Sequence, residues 1–192
     1  MMLLELARKR KTVRKFKKEK PPLSSIIKAI EVAKEAPSGI NSQPWHFLIV
    51  ENEDLKKSIK EICEKKERSF HEKLSGHFKE WLADRGITWE KSFLSDAPYL
   101  VIVLRDKTLP FSKESVWISV GYLLLALEEI GLGTVTYTPS GSEELMGLLK
   151  IPEKFRIETI LPVGYSDDDK KKEKRKKVEE IVSFERFGGR SS

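Results

Sequence analysis

The amino-acid sequence predicts one α+β domain, and three observations predict it. Residues Tyr99 to Leu104 (YLVIVL) form a continuous apolar run between Pro98 and Asp106, the pattern of a strand covered on both faces. Ser115 to Ile130 (SVWISVGYLLLALEEI) is apolar nearly all round, the pattern of a buried helix. No repeat and no Pro/Gly/Ser linker divides the 192 residues, and a chain of that length supports one core. The expected domain therefore spans 1–192, with about 65–95 as a helical cover and about 178–192 as a C-terminal arm.

The elements follow in order. Leu3 to Ala7 starts a helix that runs into a basic stretch, and Pro21 with Pro22 stops it. Ser24 or Ser25 caps a second helix, whose Ile26, Ile27, Ile30 and Ala33 keep helical spacing and which Pro37 ends. His46 to Glu51 reads as a strand, after which Asp54 caps a long charged helix carrying Leu55, Ile59, Ile62, Phe70, Leu74 and Phe78, interrupted by Gly76 and Gly86. Over 65–95 the apolar positions are sparse and surrounded by charge, which suits a partly mobile cover. The Tyr99 strand is central to the sheet, and Gly131 and Gly133 close the buried helix. A strand at Thr134 to Thr138, a short helix at Ser142 to Lys150 with a Ser140/Glu143 capping box, and a strand at Arg156 to Val163 complete the body. Asp167 to Lys177 reads as a solvated charge run, and Val178 to Phe187 as an apolar-spaced tail in need of a surface, such as a second subunit.

Composition removes several classes of function. A single Cys63 allows no internal disulfide, and three histidines (His46, His71, His77) draw no zinc-ligand cluster, so metal catalysis is not expected. No apolar run approaches the ~20 residues that cross a bilayer. Met1 to Leu4 is too short for a secretory signal, and the expected location is the cytoplasm. The 66 charged residues, beside one Gln and two Asn, resemble the composition of proteins from hot environments. In such a chain the adjacency of Asn41 and Gln43 implies that something requires amides there.

Two stretches carry chemistry. In Arg8 to Lys20 (RKRKTVRKFKKEK) nine of thirteen residues are Lys or Arg. Arg10, Lys11, Thr12 and Arg14 supply the fork-shaped donors and the hydroxyl that a phosphate monoester needs. Taken alone, the same stretch reads rather as a solvated basic face or a nucleic-acid patch, and it is the later motifs that turn the reading toward phosphate. The second is Ala36 to His46 (APSGINSQPWH), where Ser38, Asn41 and Gln43 offer hydrogen bonds to the edge of a flat heterocycle while Pro37 and Gly39 permit close backbone approach.

These residues resemble the FMN-binding nitroreductase superfamily. Arg10 to Phe16 (RKTVRKF) is similar to its phosphate motif, with Lys11 and Thr12 as departures that keep a cation and a hydroxyl, and Ala36 to Trp45 is similar to its second signature. Ala97-Pro98, Gly131 to Gly133 and Leu161 to Tyr165 follow in the same order, so the resemblance covers about 5–187. Thr134 to Pro139 and Trp89 to Lys91 resemble the iodotyrosine deiodinase-like branch of flavin reductive dehalogenases.

The resemblance implies a mixed sheet flanked by helices in an interlocked homodimer, with FMN at the subunit interface. It implies cofactor contacts at Arg10, Lys11, Thr12, Arg14, Pro37, Ser38, Gly39, Asn41, Thr136, Thr138 and Arg175, with Thr138 reaching flavin N5 as the catalytic contact. It further implies a clamp for a zwitterionic aromatic substrate at Glu67, His71 (or Phe70 by a shifted alignment) and Lys91, three positions that read equally as a solvated helix face. Chemistry then belongs to the flavin. The implied activity is ping-pong reduction of a nitroaromatic, quinone or halogenated aromatic with NAD(P)H as donor, without nucleic acid or membrane as partner. Reductive deiodination is the alternative, and a non-catalytic flavin- or nucleic-acid-binding protein the further one.

Overall fold

A computed structural model describes residues 2–189. The last three residues of the expected C-terminal arm, 190–192, lie outside the described residues. Four strands, β1 (Trp45–Val50), β2 (Tyr99–Asp106), β3 (Gly133–Thr134) and β4 (Phe155–Gly164), form one sheet in the order β1-β2-β4-β3. Every pair of named strands is antiparallel, and the parallel element is a single bridge from Thr12 to Thr134 at the β3 edge.

Alternation along a strand explains why β2 is continuously apolar. Tyr99, Val101 and Val103 enter one core, and Leu100, Ile102 and Leu104 enter the other, because successive side chains point to opposite faces. On the first face lie α2 (Leu23–Lys34) and α6 (Ser112–Glu129), contributing Ile26, Ala29, Ala33, Val116, Val120, Leu123 and Leu127. On the second lie α3 (Glu53–Glu72), α5 (Phe93–Asp96) and α7 (Glu143–Leu148), contributing Ile59, Cys63, Leu94 and Leu145. Each fully buried Leu or Ile is worth roughly 1.5–3 kcal/mol. α1 (Leu3–Lys9) packs on α6, and α4 (Gly76–Asp84) follows α3.

Several local expectations are corrected. The first helix ends at Lys9, and the basic stretch runs extended instead, with Val13 N–H donating to the Thr134 carbonyl (3.0 Å) and Lys17 N–H to that of Tyr165 (2.9 Å). Like charges at helical spacing repel, while the open edge of β3 offers backbone partners and a place to bury Val13. Pro22, not Ser24 or Ser25, precedes α2, and both serines sit inside its first turn. Asn52 rather than Asp54 caps α3, its side chain accepting from Leu55 N–H at 2.8 Å, which accounts for the second of the chain's two asparagines. Ser142 stands at the start of α7 in place of a Ser140 capping box, and the Ser140 hydroxyl goes elsewhere, as described below.

The expected strand at 134–138 shortens to β3 and an isolated bridge from Tyr137 to Ile160. Helix α6 begins at Ser112 and is buried on one side only, leaving Ile118 and Tyr122 exposed. The charge run at 167–177 is not solvated throughout. It lies along the N-terminal segment, with Asp167 N–H on the Lys15 carbonyl (2.9 Å) and Lys172 on that of Arg8 (3.1 Å). Beyond it Val178, Ile181, Val182, Phe184 and Phe187 are exposed. Among the described residues no helix is long and apolar enough to cross a membrane, and no group of three metal-ligating side chains assembles.

Candidate functional site

The extended segment after α1 and the returning run after β4 together build a cationic cleft of about 150 Å³, lined by Lys11, Thr12, Arg14, Lys170 to Glu173 and Arg175. Pairing of Thr12 with β3 sets its floor. Burial first, and then the Arg175 charge, lowers the pKa of Arg10 below its ordinary value. Lys172 is lowered by burial and by Arg175 and Arg10. Cations crowded in this way are relieved by an anion, and their forked donors suit phosphate oxygens. Lys11 also holds the cleft together, since its ammonium donates to the carbonyls of Asp168 and Lys170.

Arg14 and Lys170 also line the adjoining cavity, of about 430 Å³. Its other walls are Lys15, Asp168 and Asp169, the loop Arg85 to Phe93 and the segment Val135 to Tyr137. Along that segment side chains alternate, so Thr136 and Thr138 are exposed while Val135 and Tyr137 turn into the core.

Behind the cavity lies a buried ion pair. Lys91 Nζ stands 3.3 Å from Glu67 Oε2, and the two side chains are only 8% and 10% exposed. The other oxygen, Oε1, accepts from the Tyr137 hydroxyl at 3.1 Å and from Ser140 Oγ at 3.2 Å. Lys91 further donates to the Thr88 carbonyl, and its backbone N–H donates to Glu64 Oε1 at 2.7 Å. Glu67 is buried because it continues the inward stripe Ile59, Cys63, Glu67 at four-residue spacing on α3. Burial pushes the neighbouring Cys63 thiol up to about 12, and burial together with Cys63 and Glu67 raises the Tyr137 phenol above its ordinary value. The reading of these positions as a solvated helix face fails for Glu67 and Lys91. His71, one turn beyond Glu67, is half-buried, meets Phe70 edge-on at 5.8 Å, and does not line the cavity.

The Pro37 to Gln43 turn lies apart from both cavities. Ile40, Asn41 and Gln43 hold positive φ (48°, 56° and 43°), three strained positions in four residues. Ser38 Oγ accepts from Gln43 N–H at 3.0 Å, and Gln43 donates its amide to Asn41 at 3.1 Å, so the two scarce amides pair with each other. Gly39 N–H donates to Ser115 Oγ (3.1 Å), and a Cβ on Gly39 would stand 2.6 Å from Phe111. This turn feeds β1 at one edge of the sheet, whereas Thr12 pairs with β3 at the opposite edge.

Within one chain the structure thus brings Arg10, Lys11, Thr12, Arg14 and Arg175 together, with Thr136 and the Glu67–Lys91 pair beside them. It does not bring Pro37, Ser38, Gly39 or Asn41 to that cluster. Sequence reasoning missed Tyr137, Ser140 and Lys172. The alternation of Val135 and Tyr137 with three threonines was a usable signal for the first.

A sheet of this order carrying a basic phosphate-type cleft at its β3 edge defines a class, and the chain belongs to the nitroreductase family, whose model matches residues 7–165. More particularly, it is 55% identical over 186 residues to the iodotyrosine deiodinase of Thermotoga neapolitana, covering 97% of this chain and 99% of that one. It is 37% identical to the iodotyrosine deiodinase of Nematostella vectensis, over 91% of this chain and 72% of that protein. A crystal structure of oxidized iodotyrosine deiodinase bound to FMN and 3-iodo-L-tyrosine superposes with a TM-score of 0.93 at 55% identity, covering 97% of this chain and all of that one.

Proposed function

We propose that the protein is an FMN-dependent reductive dehalogenase that acts as a homodimer on a zwitterionic halogenated aromatic of the iodotyrosine kind. The observation that carries this reading is the buried Glu67–Lys91 pair beside the cavity that adjoins the cationic cleft. An amino acid presents one ammonium and one carboxylate, and a carboxylate and an ammonium already held against each other are its complement.

The cleft fits the phosphate of FMN. Arg10, Lys11, Thr12, Arg14, Lys172 and Arg175 would hold it, and the lowered pKa of Arg10 and of Lys172 marks cations that an anion relieves. Bound there, FMN supplies the electron-transfer chemistry that no side chain here offers. In net terms the aryl carbon–halogen bond breaks, the halide leaves with the bonding pair, and two electrons and one proton make the new carbon–hydrogen bond. NADH or NADPH is the donor class.

The chain's own residues bind and orient. Glu67 takes the substrate ammonium and Lys91 its carboxylate, while Phe93 and Tyr137 wall the ring against water. Thr136 and Thr138, on the exposed side of their segment, would offer hydroxyls to the cofactor. Arg14 and Arg175, both on the wall of the cleft, would stabilise negative charge on the bound cofactor. The turn at Pro37, Ser38, Gly39 and Asn41 completes the site from the second subunit, because within one chain it sits at the far edge of the sheet. The conformational strain of its three positive-φ residues accords with a binding role.

The test is direct. The purified protein should be yellow, and with dithionite or NAD(P)H it should release iodide from 3-iodo-L-tyrosine faster than it reduces nitroaromatics or quinones. A yellow protein that reduces nitroaromatics and leaves 3-iodo-L-tyrosine intact would overturn the dehalogenase reading in favour of the broader reductase. A protein colourless even after incubation with FMN would overturn both.

A further inference from the structure

The ion pair accounts for Glu67 Oε2 but leaves Oε1 to two hydroxyls that the binding scheme does not use. The first belongs to Tyr137, whose backbone is anchored on β4. Its backbone N–H donates to the Ile160 carbonyl at 3.0 Å. Its carbonyl accepts from Ile160 N–H at 2.7 Å and from Thr159 Oγ1 at 3.1 Å. Its ring meets Phe93 edge-on at 5.8 Å, so the phenol is fixed at both ends. The second hydroxyl, Ser140 Oγ, comes three residues further along the same loop.

We propose that Tyr137, with Ser140 as a second anchor, is the positioning residue that sets ammonium specificity: by holding Glu67 Oε1, it leaves Oε2 as the oxygen that meets a substrate's ammonium. A carboxylate is free to rotate and to share its charge over two oxygens. Two donors on Oε1 fix its plane and direct its remaining lone pairs toward Lys91. A ligand ammonium then replaces that of Lys91 on Oε2, and Lys91 turns to the ligand's carboxylate. Because Tyr137 lies between Thr136 and Thr138, the same phenol fixes the distance between the ammonium site and the segment whose exposed threonines would meet the cofactor. The proposal rests on the zwitterion reading above and assigns a different residue.

The experiment compares two ligands by calorimetric titration of the oxidised, FMN-loaded protein: 3-iodo-L-tyrosine and its amine-free analogue, 3-(4-hydroxy-3-iodophenyl)propionate. Loss of a hydrogen bond to a charged group corresponds to about a tenfold change in affinity. The ratio of the two dissociation constants should therefore shift about tenfold against the amino acid in Tyr137→Phe. A smaller shift in the same direction is expected in Ser140→Ala, which alters an exposed residue and serves if Tyr137→Phe does not fold. A merely structural role would weaken both ligands together and leave the ratio unmoved, and an unmoved ratio in both variants overturns the proposal. If the unaltered protein shows no preference for the amino acid, it is the zwitterion reading that fails.

Discussion

At the scale of single residues, the decisive placement is that of two opposite charges withdrawn together from solvent. Glu67 and Lys91 are each about nine-tenths hidden from solvent, and desolvation makes either one costly without the other. Lys91→Met should cost about 3 kcal/mol of unfolding free energy, the effect of stranding a buried charge. Chemical denaturation measures it, and a cost near zero would mean that the pair is solvated in solution. Neither burial is legible in the sequence, because charged residues are ordinarily exposed and a Glu four residues beyond Cys63 carries no sign that it faces inward. Amide scarcity singles out Asn41 and Gln43, whose side chains pair with each other, while the role of Asn52 as a helix cap emerges only from geometry.

At the scale of elements, the ends of strands and the segments beside them decide how the site is held. Asp106 closes β2, and hydrogen bonds from Thr108 and Lys154 hold its carboxyl down at about 2. A depressed carboxyl adds stability that is fully present above its unfolded pKa of about 4 and is lost as pH falls through about 2. The melting temperature of Asp106→Asn should accordingly lie below that of the unaltered protein at pH 7, with the gap closing between pH 4 and pH 2. A gap independent of pH would assign the effect to packing instead.

At the other edge of the sheet, a Cβ on Gly133 would stand 2.7 Å from the Val13 side chain. Gly133→Ala should therefore push the extended segment off β3 and weaken FMN retention at least tenfold, read from flavin fluorescence on dilution. Retention unchanged would separate the cleft from this strand pairing. Strand β2 and helix α6 could be read from the sequence because an unbroken apolar run has few alternative fates. The extended course of 10–16 could not, since its partners, Thr134 and Tyr165, are over a hundred residues away.

At the scale of the whole molecule, the exposed apolar side chains of α6 and of the tail remain to be covered. Ile118, Tyr122, Val178, Ile181 and Phe187 form no part of either core. Exposed apolar surface of this kind marks an interface, and a dimer should elute at twice the 22.1 kDa chain mass. A monomer that keeps its flavin would refute the shared site.

The placement of the 10–14 cluster and the 37–43 turn at opposite rims of one sheet carries a genetic corollary. If each catalytic centre draws on two polypeptides, an Arg14→Ala allele and an Asn41→Ala allele should complement one another when co-expressed. Hybrid pairs would carry one centre built wholly from undamaged parts and another bearing both lesions, restoring up to half the normal activity per hybrid where either allele alone gives little.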